Sequence, residues 1–213
     1  MLARIAASLL SIALLAPTAN ARAFAQPPTA PATHERVARR PGIDRAALIA
    51  ALAQRREQNL AGFRAYRKGG VYPKNDERSG PLNIWRDRAG HLCAAATMID
   101  RDGQHALVSR VATRDNHIRL LDVTDGPLLD WILTSGFTLE EIDRIQLPMP
   151  GPNQQEQRDQ QWARDEHDRM TRDYFETDRF LVQHRDAGLA IAADRLMDYP
   201  ALARQLIAST RTS

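Results

Sequence analysis

Cysteine is almost missing from this chain. Cys93 stands alone among 213 residues, so no intramolecular disulfide can form, and a hydrophobic core has to hold the fold. Aromatic residues make up only 6%. Trp85, Trp131 and Trp162 are too dispersed for an aromatic cage, and Trp85 and Trp131 read as core residues. There is no glycine-rich phosphate loop, no G-x-S-x-G elbow and no cysteine pair for haem attachment, so no cofactor is called for. Charge of one sign is not in excess either. The formal net charge of +3 falls to +1 without Arg4 and Arg22, and arginines interleave with aspartates. That is the pattern of a solvated surface and speaks against a nucleic-acid partner.

What is present begins with an export signal. Arg4 gives a positive start, Ile5 to Ala16 is apolar except for Ser8 and Ser11, and Pro17 closes the run. The small-residue stretch Ala19 to Ala25 follows. Charge, apolar core and A-x-A site in that order predict a secretory signal over residues 1–25, cut after Ala21 or Ala25. The run is shorter than the roughly 20 residues of a permanent span. No cysteine follows it for lipid attachment, and no Arg-Arg pair precedes it. The mature chain is expected to be periplasmic or secreted, with no permanent membrane span. Residues 26–41 contain four prolines and little apolar content, and read as a disordered linker.

Residues 42–213 read as one mainly helical domain with a small β-hairpin, or as an α+β domain if 93–99 is a strand. Asp44 precedes a helix from Arg45 to Lys68 that Gly69-Gly70 stops. Ile49, Leu52, Leu60 and Phe63 recur along it, with Arg55 and Arg56 interrupting the stripe. Leu82 to Trp85 and a return starting at His91-Leu92 around Asp87-Arg88-Ala89-Gly90 predict the hairpin. Cys93 to Asp100 is expected to be helical because of its three alanines. Gln104–Thr113 reads as another helix, Ile118–Val123 as a strand or extended segment, and Asn116 as a cap or turn residue. Asp125 with Pro127 starts a helix that stops at Gly136. Thr138-Leu139-Glu140-Glu141 forms a capping box for the next. The long stretch 154–184 is a charged helix whose apolar set, Met170, Tyr174 and Leu181, is thin. It is expected to lie on the surface, to project, or to meet a partner. Two more helices follow. The expected core includes Leu52, Leu60, Phe63, Ile84, Trp85, Leu92, Ile99, Val108, Leu121, Trp131, Ile132, Leu139, Ile142 and Ile145.

The chemistry-bearing residues are few. Cys93 at a helix N-terminus has the setting in which a dipole favours thiolate. His117 and Asp122 follow it, and the order Cys, His, Asp occurs in thiol hydrolases. The opposing expectation is a small, buried, inert cysteine among Leu92, Ala94, Ala95 and Ala96. His91, His105 and His117 lie near Asp100 and Asp102 without metal-ligand spacing, so no metal is expected. Two function classes result. One is a non-enzymatic envelope or secreted protein that binds an unknown protein or envelope partner. The alternative is a thiol-dependent hydrolase or transferase using Cys93 and His117.

Overall fold

The longest early helix starts where Asp44 caps it, its carboxylate accepting from the N–H groups of Ala46 at 3.0 Å and Ala47 at 3.2 Å. A computed structural model describes residues 42–151 and 160–211, so the leader, the linker and residues 152–159 lie outside the described residues. Helix α1 (Arg45–Gly69) ends at Gly70 in the left-handed region, with φ +62°. Along the chain follow α2 (Ala94–Arg101), α3 (His105–Arg114), a 3-10 turn (Leu120–Asp122), α4 (Gly126–Thr134), α5 (Leu139–Ile145), α6 (Gln160–Gln183), α7 (Arg185–Leu196) and α8 (Pro200–Arg211). The protein is thus mainly helical. Residues 94–99 are helix, which removes the α+β alternative. Among the described residues no helix is long and apolar enough to cross a membrane.

Helix α1 divides the core in two. Its first half buries Leu48, Ala51 and Leu52 against Leu129 and Leu133 of α4, against α7, and against Ala203 and Leu206 of α8. Its second half buries Leu60, Phe63 and Tyr66 in a larger cluster with α2, α3, α5 and α6. The interruption at Arg56 falls between the two clusters, and Arg56 is 1% exposed. Its Nη1 donates to Glu141 Oε2 at 2.8 Å and to the Gly136 carbonyl at 2.9 Å. Its Nη2 donates to Glu141 Oε1 at 2.5 Å and to the Leu181 carbonyl at 2.6 Å. Glu141 is the N3 residue of the capping box expected from the sequence, which is present at the start of α5. One buried ion pair therefore ties α1, the α4–α5 corner, α5 and α6 together. Gly136 is required at that corner: φ is +81°, and a Cβ would come within 2.4 Å of the Leu52 carbonyl.

Three local expectations need correcting. The hairpin reduces to one antiparallel bridge, Arg86 with Leu92, and no sheet forms among the described residues. The reason lies in what pairs with its strands. Leu82 bridges to Met149 instead, the Trp85 N–H goes to the Asn116 carbonyl, and the Asn116 side chain bonds both backbone groups of Arg86. Residues 118–123 contain a 3-10 turn rather than a strand, because Gln146 Oε1 takes the Leu120 N–H at 2.8 Å. That turn buries Leu120 and leaves the expected Leu121 only partly buried. Finally, α6 does not project from the body. Met170, Tyr174 and Leu181 are all buried, and Thr177 completes their face. Arg64 and Arg67 of α1 pair with Asp178 of α6 at 2.8 and 3.3 Å. Removing α6 would therefore strip a wall from the larger core cluster.

Candidate functional site

One face of the protein, built in part by residues 71–92, 115–125 and 146–151, uses polar side chains in place of secondary structure. Asn75 donates to the Gly80 and Met149 carbonyls and accepts from the N–H groups of Glu77 and Arg78. Asp87 accepts from the Lys74 N–H, the His91 N–H and, at 2.9 Å, the His91 ring Nδ1. Burial pushes the Asp87 carboxyl up, but these hydrogen bonds, led by the His91 ring, outweigh it and hold the group below the ordinary carboxylate value. Gln146 Nε2 donates to the Ile118 carbonyl at 2.8 Å. These bonds fix loops that would otherwise fray.

Two grooves open on this face. One, of about 660 Å³, is lined by Leu107, Arg110, Val111 and Arg114 of α3, by Asp115 and His117 to Arg119, and by the chain from Asp122 to Leu128. The other, of about 570 Å³, lies between Arg78 to Asn83 and Asp143 to Pro148. His117 and Arg119 line both. The His117 Nε2 is 3.0 Å from Glu77 Oε2, with both side chains 40% exposed.

The sequence-derived site residues separate into two places. His117 and Asp122 are both exposed and share the larger groove. Cys93 does not line either groove; it is 2% exposed, inside the larger core cluster. It does occupy the N-cap of α2, and its Sγ accepts from the Ala96 N–H at 3.5 Å. Burial nevertheless dominates the helix-end effect and pushes the thiol up to about 11. Around it, Tyr66 and Tyr174 are buried with hydroxyls that have no hydrogen-bond partner. Burial likewise raises both phenols well above the ordinary tyrosine value.

The histidine and aspartate set of the metal consideration is dispersed. His91 pairs with Asp87, His105 with Asp100 at 2.6 Å, and Asp102 takes Arg55 at 2.6 Å and the Trp131 ring N–H at 3.1 Å. Among the described residues no group of three or more His, Cys, Asp or Glu is placed to hold a metal ion. Sequence reasoning missed Arg110, Arg114 and Arg119 of the larger groove. Arg110 and Arg114 stand four apart on one exposed helix face, a like-charge spacing that gives a helix nothing and therefore invites a question.

No protein-family model matches this chain, and no curated protein or solved structure is significantly similar to it.

Proposed function

We propose that this chain is exported and acts in a bacterial periplasm or outside the cell as a non-enzymatic binding protein. The observation that carries the reading is the separation of its lone thiol from its open surface: Cys93 is buried, whereas His117 and Asp122 line a groove that Cys93 does not reach. A nucleophile has to touch substrate, and a thiol raised to about 11 offers little thiolate at neutral pH. The pinned loops favour binding, because a surface fixed in advance loses little freedom when a partner docks. The thiol-hydrolase alternative keeps only the N-cap position of Cys93 in its favour. Export rests on the order of charge, apolar run and A-x-A site in residues 1–25.

The reading is tested by fractionating cells that make the full chain and sequencing the N-terminus by mass spectrometry. A new terminus at Arg22 or Gln26 in the periplasmic or culture fraction is the expected result. An intact Met1 on cytoplasmic protein overturns export.

A further inference from the structure

The larger groove carries charges of both signs that the folded chain leaves unused. Arg110 and Arg114 of α3 line it, as do Asp122 and Asp125 on the chain leading into α4. All four residues are exposed. None of the four side chains has a hydrogen-bond or ion-pair partner among the described residues. Asp125 occupies the N-cap position of α4 yet makes no capping bond with its side chain. The other charges are partly committed. Asp115 accepts from the His117 N–H, and His117 meets Glu77, while Arg119 adds a third guanidinium. The lining also includes the apolar residues Val111, Val123 and Leu128, of which Val123 is partly exposed. A volume of about 660 Å³ falls in the ordinary range of small-molecule sites.

Cations and carboxylates that share one groove without neutralising each other match a ligand that is itself dipolar. Two guanidiniums on adjacent helical turns suit a carboxylate, which arginine binds through paired N–H groups. Two neighbouring aspartates suit an ammonium. We propose that this groove binds a short peptide with free termini, its C-terminal carboxylate on Arg110 and Arg114 and its N-terminal ammonium on Asp122 and Asp125. The proposal rests on the binding-protein reading and gives it a ligand class.

Calorimetric titration of the purified protein with tri-alanine tests it, beside tri-alanine acetylated at the N-terminus and tri-alanine amidated at the C-terminus. The free peptide is expected to bind, and each block to weaken binding roughly tenfold or more, the scale of one charge-assisted contact. Arg110→Ala with Arg114→Ala should weaken the free peptide as amidation does and leave the amide no weaker than before. Asp122→Asn with Asp125→Asn should do the same for the acetylated peptide. All four side chains are exposed, so the variants should keep the parent's helical signal. Absence of binding, or binding indifferent to both blocks and both double variants, overturns the assignment. Chromatography of the peptide afterwards separates the two readings. Intact peptide accords with binding alone, whereas cleaved peptide overturns the non-enzymatic reading while the groove assignment still stands on the block effects.

Discussion

Two polar centres are buried beside α1, and they are built on opposite terms. At the waist of the helix, Arg56 and Glu141 satisfy one another and four further groups: the Arg56 guanidinium also reaches the carbonyls of Gly136 and Leu181 and lies 4.8 Å over the Phe137 ring, while Glu141 takes the Thr138 N–H at 2.8 Å. Near its end, Tyr66 and Tyr174 pack edge to face at 5.5 Å, Phe63 meets Tyr174 at 5.6 Å, and the two phenol hydroxyls stay without partners. The first centre is held for its charges, the second for its rings. A buried polar group is costly to strip of its partner and cheap to delete where it has none.

The largest expected effect breaks the first centre. Glu141→Leu leaves the Arg56 guanidinium buried without its carboxylate and should cost about 3–5 kcal/mol in urea unfolding. Adding Arg56→Met to it should recover part of that loss, since the pair then goes as a unit. A single variant within about 1 kcal/mol of the parent would remove the waist from its structural role.

The second centre should respond far less. Tyr174→Phe and Tyr66→Phe keep the ring contacts and remove hydroxyls that make no well-formed hydrogen bond, so each should shift stability by less than about 1 kcal/mol in either direction. A pH dependence sharpens the contrast. Burial raises Tyr66, Tyr174 and Cys93 in the folded state above their ordinary values of 10.0 and 9.0. The unfolded chain therefore loses these protons first, and the stability they confer is complete below pH 9 and declines as pH rises beyond it. The Tyr66→Phe, Tyr174→Phe double variant should show a shallower alkaline decline than the parent. Coincident curves would mean that the phenols titrate freely.

The two centres also differ in how far the sequence announced them. The capping box at Thr138 and Glu141 was legible because its parts are three residues apart. Its second duty was not, since Arg56 lies 85 residues from Glu141 and only the fold joins them. The break in the α1 stripe at Arg56 was the one local sign. In α6 the charge pairs drew attention away from Met170, Tyr174 and Leu181, three apolar residues that sufficed because Thr177 fills the same buried face. The hairpin shrank to one bridge for a related reason: the side chain of Asn116 takes both backbone groups of Arg86, and a single asparagine carries no periodic signal. Cys93 was readable from its alanine neighbours as a buried residue, while the groove that excludes it was not, because the segment 107–128 makes it only by folding back on itself, which leaves no periodic signal.

The reading of this chain as a binding protein turns most directly on that thiol. Native protein treated with iodoacetamide across a pH series, with mass spectrometry counting modified Cys93, measures both exposure and thiolate at once. The expected result is slow labelling at neutral pH, rapid labelling on denaturation, and no native midpoint below the ordinary thiol value of 9.0. Rapid labelling of folded protein with a midpoint well below that value would contradict the burial of Cys93 and make the combination of Cys93 with His117 and Asp122 the leading reading.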